Sequence, residues 1–202
     1  MVNNSGKIIV INGPSSSGKT TLALAAQKQF DIPFLRFSFD LFLDNKVLPM
    51  DQINRGVFSW DSIRPFVFIG IHQCLPALAT AGNNLIFDHI IKTKAWLDNL
   101  IQSLSGLDVF FVGLNCSLPE LERREIQRGN RRIGEARTDF QTVQTITSYD
   151  LELNSENPAE DNAKILIEAW KKRKHPSALD KMIQERKLNS VSEHPAKSRA
   201  RR

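Results

Sequence analysis

Eight consecutive residues near the start of the chain form a glycine- and serine-rich loop that ends in Lys-Thr. They match the pattern G-x-x-x-x-G-K-[ST] and are Gly13, Pro14, Ser15, Ser16, Ser17, Gly18, Lys19 and Thr20. Glycines in such a loop let backbone N–H groups surround phosphate oxygens, while the lysine and the hydroxyl reach the phosphates and Mg²⁺. We therefore predict that the loop binds ATP, with Lys19 on the β- and γ-phosphates and Thr20 on Mg²⁺.

Two aspartates stand at the ends of apolar runs. Asp88 closes the run 84–88, and Asp40 closes the run 37–40. Ligands of open α/β sheets lie beyond the carboxyl ends of the strands, so acids at those ends are candidates for chemistry. We predict that Asp88 binds Mg²⁺ or its water shell and that Asp40 is the general base for an acceptor hydroxyl. The alternative for both is a helix N-cap, or for Asp40 a loop acid.

A basic segment follows further along the chain. We predict a closing lid near residues 128–137, in which Arg131 stabilises the transferred phosphoryl group and Arg128 and Arg132 bind the nucleotide. Other arginines at helical spacing from acids are more simply surface residues that pair with Glu120, Glu122 or Glu125, and these are Arg123, Arg124 and Arg137.

Short apolar runs alternate with segments of helical period, which predicts the elements that must position these residues. The strand candidates are 7–12, 34–39, 84–88, 108–115 and 149–153. The helix candidates are 19–30, 61–80, 93–104, 118–127, 138–147 and 158–173. This alternation predicts an α/β sandwich on a five-stranded parallel sheet.

Charge is distributed unevenly along the 202 residues. The segment from Lys171 to Arg202 carries 11 Lys and Arg against 3 Asp and Glu, whereas the whole chain has a formal net charge of +5. We predict one folded domain over residues 1–173 and a basic, flexible tail over 174–202, in which a short helix at 178–187 is the only candidate element. A solvated extension is the usual role of such a tail, and contact with nucleic acid is the alternative.

The rest of the composition points to an ordinary globular protein inside the cell. The first residues lack the pattern of a secretory signal, and no apolar run is suited to span a membrane. Cys74 and Cys116 show no metal or disulfide spacing, which favours a reducing compartment. We therefore expect a cytoplasmic protein without a membrane partner.

Several segments resemble the chloramphenicol phosphotransferase family, a branch of the P-loop kinases. The resemblance covers residues 7–170 and rests on the stretches 11–20, 39–42 (FDLF), 48–50 (LPM), 84–88 (NLIFD), 112–116 (VGLNC), 121–125 (LERRE), 128–131 (RGNR) and 149–152 (YDLE). It implies a P-loop kinase-like three-layer sandwich similar to nucleoside-monophosphate and shikimate kinases. It also implies that Asp40 is the base and that a lid carrying Arg128 and Arg131 closes on ATP. The sequence departs from the family at Asn130, where an acid is usual.

These features predict an enzyme that moves the γ-phosphate of ATP to a hydroxyl of a small molecule, with Mg²⁺. One alternative is a kinase for a nucleotide or a nucleic-acid end, which the basic tail favours. Another is a nucleotide-responsive binding module without catalysis, which does not need an acid such as Asp40 opposite the γ-phosphate. GTP is disfavoured because no Asn-Lys-x-Asp segment occurs.

Overall fold

One sheet of five parallel strands forms the centre of the molecule. The computed structural model describes residues 5–129, 133–143 and 148–192. Its strands lie in the order β2-β3-β1-β4-β5, and each neighbouring pair is parallel. Their bounds are β1 (Ile8–Asn12), β2 (Phe34–Ser38), β3 (Asn84–His89), β4 (Val109–Asn115) and β5 (Leu151–Asn154). The predicted α/β fold class with a five-stranded parallel sheet is therefore confirmed.

Nine helices occur within the described ranges. They are α1 (Lys19–Gln29), α2 (Phe39–Asp44), α3 (Met50–Asn54), α4 (Trp60–Thr80), α5 (Lys94–Ser103), α6 (Leu118–Arg128), α7 (Glu135–Val143), α8 (Ala159–Lys171) and α9 (Ala178–Ser192). The sequence patterns did not predict α2 and α3, because helices of five or six residues are too short to show a period. No helix in the described part of the chain has both the length and the apolar character needed to cross a bilayer.

The sheet is covered on both faces, which makes three layers. On one face, β-strand residues pack with Ile71 and Leu75 of α4, Leu100 of α5 and Leu179 of α9. On the other face, the partners come from α1 and α8, including Trp170. All five residues of β1 are buried, as expected for a central strand that helices cover on both sides.

Helix α7 begins three residues earlier than the predicted range 138–147, and residues 144–147 lie outside the described ranges. Its start is held by Glu125 of α6, which is buried. The carboxylate oxygens of Glu125 accept hydrogen bonds from the backbone N–H groups of Gly134 and Ala136, each at 2.8 Å. A carboxylate at a helix N-terminus satisfies free N–H groups, and no local sequence signal reveals one that comes from another helix.

The carboxyl ends of three neighbouring strands meet at one edge of the sheet. The register pairs Asn12 of β1 with His89 of β3, and Ser38 of β2 with Asp88 of β3. The glycine-rich loop follows β1, and Asp40 follows β2. The topology therefore brings the predicted phosphate loop and both predicted aspartates to the same edge.

Helix α9 lies in the segment that the sequence analysis treated as a tail. Ala178 and Leu179 at its start are buried in the core, and Asp150 accepts a hydrogen bond from the N–H of Ala178 at 2.7 Å. Apolar residues at its start explain why this part packs on the sheet although the segment as a whole is basic. Residues 193–202 lie outside the described ranges, and the division at residue 174 stays a prediction.

Candidate active site

The glycine-rich loop has a conformation that depends on its glycines. Gly18 has φ = 88°, in the left-handed region that glycine adopts without strain. A Cβ at Gly13 would lie 2.6 Å from the carbonyl oxygen of Leu114, which is closer than real Cβ atoms come. Lys19 donates from Nζ to the carbonyl oxygen of Pro14 at 2.7 Å. The loop is thus a tight curl with its lysine folded onto its own backbone.

Two hydroxyls of this loop have no hydrogen-bonding partner among the described residues. They are Ser16 Oγ and Ser17 Oγ, and both atoms are buried. Buried polar atoms are nearly always paired, so two unpaired atoms in one loop indicate room for a polar ligand. Helix α1 begins at Lys19, so the positive end of its dipole faces the same space. The residues present therefore fit a chain of phosphates.

Asp88 lies at the carboxyl end of β3 and is almost fully buried. Its Oδ2 is 3.4 Å from Arg36 Nη1. Burial raises the pKa of Asp88 above its ordinary value, while the charges of Lys19 and Arg36 oppose that rise. The described residues include no group of three or more His, Cys, Asp or Glu side chains that could hold a metal. A Mg²⁺ ion at Asp88 and Thr20 would take its remaining ligands from phosphate and water.

Asp40 lies in the first turn of α2, directly beyond the end of β2. Its Oδ2 is 4.0 Å from Arg128 Nη2, which belongs to the last turn of α6. The predicted base and one predicted lid arginine therefore face each other across the cleft. Arg131 and Arg132, the other two predicted lid arginines, lie outside the described ranges.

Arg124 connects α6 with the glycine-rich loop. Its Nε donates to Oε1 of Glu120 at 2.7 Å, which is one of the arginine–glutamate pairs at helical spacing that the sequence predicted. Its other nitrogens donate to the carbonyl oxygens of Ser17 at 3.5 Å and Ser155 at 3.0 Å. Arg124 thus also supports the loop and the start of the β5–α8 connection, a role that helical spacing alone does not reveal.

A second missed residue is Asp139 of α7, which is buried beside the loop. Its Oδ2 accepts a hydrogen bond from the backbone N–H of Ser15 at 3.2 Å. Its Oδ1 is 2.8 Å from Nζ of Lys92, in the segment after β3. One carboxylate therefore joins the loop, helix α7, whose start overlaps the predicted lid, and the segment that follows Asp88.

A single cleft of about 940 Å³ contains the loop and both aspartates. The end of the cleft away from α8 has an aromatic wall, which we define as Phe39, Trp60, Phe68, His89 and Trp96. The rings of Phe68 and Trp96 stack at 4.1 Å between centroids, and those of Phe39 and Phe68 stack at 4.7 Å. Phe39 of the wall and Asp40 both line this cleft, so a flat molecule lying against the wall shares the cleft with that carboxylate.

His89 of the aromatic wall is paired with a second buried histidine. The Nε2 atoms of His72 and His89 are 3.3 Å apart, and His72 Nδ1 is 2.7 Å from Asn99 Oδ1. Burial lowers the pKa of His72 and lowers that of His89 well below its ordinary value. Both rings are therefore neutral near pH 7, and His89 serves here as a polar ring in an apolar wall.

The structure brings most of the predicted site residues together. The cleft is lined by Ser15, Ser16, Ser17, Gly18, Lys19, Thr20, Asp40, Asp88 and Arg128. Gly13 and Pro14 hold the loop from behind, next to β4. Sequence reasoning missed Arg36, Arg64, Lys92, Arg124, Asp139 and the aromatic wall, because their proximity to the loop is created by the fold.

Comparison with known proteins places these features in a family. The family model described as chloramphenicol phosphotransferase-like protein matches residues 6–171. A curated protein of Mycobacterium tuberculosis, named "Putative O-phosphotransferase", is 29% identical over a match 197 positions long, and the match covers 88% of this chain and 88% of that protein. The match to the family model includes all the cleft residues named above and ends before α9.

Solved structures with similar folds include kinases of low sequence identity. The APS kinase CysC of M. tuberculosis, solved with AMPPNP and APS, has a TM-score of 0.63 at 18% sequence identity. The structural match covers 83% of this chain and 98% of the APS kinase chain. A gluconokinase of Sinorhizobium meliloti has a TM-score of 0.52 at 18% sequence identity, and the match covers 93% of this chain and 99% of the gluconokinase chain. Identities this low support the fold alone.

Proposed function

This chain belongs to the chloramphenicol phosphotransferase-like family of P-loop phosphotransferases, and from that premise we propose that it moves the γ-phosphate of ATP to a hydroxyl of a small molecule. The observation that carries the proposal is the position of Asp40. A carboxylate faces the same cleft as Lys19 and lies 4.0 Å from Arg128. A base, a phosphate-binding lysine and an arginine are among the groups that assist phosphoryl transfer to an alcohol.

The nucleotide end of the cleft would hold ATP mainly through the backbone. The N–H groups of Ser16 to Thr20 and the start of α1 surround the phosphates, and the unpaired hydroxyls of Ser16 and Ser17 gain partners there. Lys19 would leave the carbonyl oxygen of Pro14 for the β- and γ-phosphates. Thr20 and Asp88 would hold Mg²⁺, whose chemistry when bound is to neutralise phosphate charge and orient the phosphates.

The transfer itself needs one proton acceptor. Asp40 takes the proton of the acceptor hydroxyl while that oxygen bonds to the γ-phosphorus and the bond to the β–γ bridging oxygen breaks, which releases ADP. Negative charge on the equatorial oxygens is stabilised by Lys19 and Arg128. The 4.0 Å contact between Arg128 and Asp40 places the lid end of α6 beside the proposed base.

The test compares Asp40→Asn with the wild type against a library of hydroxyl compounds that includes chloramphenicol. Product mass and ADP release measure the transfer, and calorimetry measures ATP affinity. We expect Asp40→Asn to bind ATP normally and to lose about 10²- to 10⁴-fold in transfer rate, the usual contribution of a general base.

The matched control is Asp44→Asn, because Asp44 lies one turn further along α2 and also lines the cleft. Its rate should stay close to that of the wild type. Transfer by Asp40→Asn within tenfold of wild type would contradict the role of Asp40. ATP binding without any phosphorylated product in the wild type would instead favour the nucleotide-responsive binding module.

A further inference from the structure

Arg64 of α4 is a positive charge that faces the aromatic wall. Its guanidinium carbon lies 4.8 Å from the ring centroid of Trp96 and 5.9 Å from that of Phe68. Arg64 lines the same cleft as the phosphate loop and is partly exposed. A ligand that packs against these rings would therefore lie close to the positive charge of Arg64.

The other basic residues at this end of the cleft have acidic partners, whereas Arg64 has none among the described residues. Arg36 is 3.4 Å from Asp88, and Lys92 is 2.8 Å from Asp139. No described carboxylate lies within 4.0 Å of Arg64, which has only its two ring contacts. A guanidinium on an aromatic face keeps its N–H groups at the edge free for a planar anion.

We propose that the acceptor of the phosphate is a flat, hydroxyl-bearing molecule that also carries an anionic group, and that Arg64 binds that group. The inference rests on the proposed function. The ring of the acceptor packs against the aromatic wall, its hydroxyl faces Asp40, and its carboxylate or similar oxyanion pairs with Arg64. Arg64 is thus a specificity-determining residue of the acceptor end.

The anion at Arg64 belongs to the acceptor and not to ATP. The phosphates of ATP bind where β1 meets α1, whereas Arg64 lies on α4 against Trp96 of α5. Phe68 and Phe39 stack in sequence from Trp96 towards Asp40, so these rings extend from Arg64 to the start of α2. A neutral acceptor would leave the guanidinium without a counter-charge after water has been excluded from the cleft.

The experiment measures acceptor binding to protein loaded with Mg²⁺ and the non-transferring analogue AMPPNP. Three probes share one ring and one hydroxymethyl group: p-(hydroxymethyl)benzoate, p-(hydroxymethyl)benzenesulfonate and the neutral p-(hydroxymethyl)benzamide. We expect the wild type to bind at least one of the anions about tenfold or more tightly than the amide, as a charge-assisted pair provides. Arg64→Met, which keeps the apolar stem, should bind all three alike.

The control variant is Arg55→Met, since Arg55 is an exposed arginine at the end of α3 that does not line the cleft. It should keep the wild-type preference, and Arg64→Lys should keep part of it. Equal affinity of the wild type for anions and amide, an equal loss for all probes in Arg64→Met, or no detectable binding of either anion would overturn the proposal.

Transfer from ATP to the same probes separates this inference from the proposed function. Preferential binding of an anion without phosphorylation of any library compound would support the anion site and contradict the phosphotransferase. Phosphorylation of the amide as efficiently as of both anions, measured as kcat/KM, would support the phosphotransferase and overturn the role of Arg64.

Discussion

The two ends of the cleft are built in different ways. The nucleotide end is built around one continuous stretch, the loop 13–18 with the start of α1. The acceptor end takes its aromatic wall from α2, α4, β3 and α5, and side chains form it entirely. Phosphate binding is therefore encoded locally in the sequence, whereas the acceptor end exists only when four distant segments have packed. Substitutions should affect catalysis at the first end and recognition together with stability at the second.

The largest effect that would sharpen this comparison is expected at Lys19. Lys19→Met keeps the apolar stem and removes the charge that we propose stabilises the transferred phosphoryl group. We expect the transfer rate to fall by about 10³-fold or more, as for other groups that stabilise the transition state of phosphoryl transfer. The melting temperature should fall only by the few degrees expected for the loss of one buried hydrogen bond, that to Pro14, because the apolar stem is kept. Steady-state kinetics and thermal unfolding measure the two quantities.

The control for Lys19 is Lys28→Met, because Lys28 is exposed near the end of the same helix. Its rate should equal that of the wild type. If the fraction of folded protein in Lys19→Met fell in proportion to its transfer rate, the loss of rate would be explained by unfolding. The distinction between a catalytic end and a packed end would then fail.

At the acceptor end, an intermediate effect is expected from Phe68→Leu. Phe68 is buried and stacks with both Phe39 and Trp96. Loss of these ring contacts should raise the acceptor KM up to about tenfold and lower the free energy of unfolding by about 1 kcal/mol. ATP affinity should not change. Phe66→Leu is the matched control, since Phe66 is 75% exposed on the same helix and should leave all three quantities unchanged.

Equal weakening of ATP and acceptor binding in Phe68→Leu would show that the two ends are not separate. The variant would then be acting through the shape of the whole cleft, and the comparison would fail.

The smallest effect concerns pH and the neutral pair His72 and His89. Because burial lowers both pKa values below the ordinary value near 6.5, the unfolded chain takes up protons that the folded protein excludes as pH falls below about 6.5. Stability should therefore be full above that pH and decrease from pH 7.5 to 5.5. We expect the decrease to be about 1 kcal/mol smaller in His89→Gln, measured by urea unfolding at both pH values.

The raised pKa of Asp88 acts in the opposite direction, because a folded protein that binds a proton more readily gains stability as pH falls. Both proteins contain Asp88, so the difference between them isolates the histidine. A decrease of the same size in wild type and His89→Gln would show that His89 is accessible to protons in the folded state.

The strands and the phosphate loop could be predicted because their signals are local. An apolar run, a glycine loop and a helix start follow one another within residues 8–29, and the structure has β1 and α1 there. The family resemblance, now confirmed, added a role for Asp40 that spacing alone leaves open. That role stays a prediction, as do those of Asp88 and the lid arginines.

The acceptor end could not be predicted, for a physical reason. Phe39, Phe68 and Trp96 stack on one another although about 28 residues separate each from the next, as the sequence numbering shows. No periodicity relates residues that meet only through tertiary packing. Arg64 lay within a predicted helix, yet nothing in that pattern separates a cleft arginine from one on the surface. The place of His89 in the wall likewise has no local signal, because its partner His72 is on another element.

The Asp139 carboxylate has a consequence for how two substrates bind to one cleft. It is bonded at the same time to Ser15 in the phosphate loop and to Lys92 beyond β3, and it is carried by α7. A ligand that displaces any one of these segments must stretch or release a bond to the others. By thermodynamic reciprocity, whatever factor the nucleotide then applies to acceptor affinity, the acceptor applies to nucleotide affinity. Any effect of one substrate on the other that passes through Asp139 therefore has the same size in both directions.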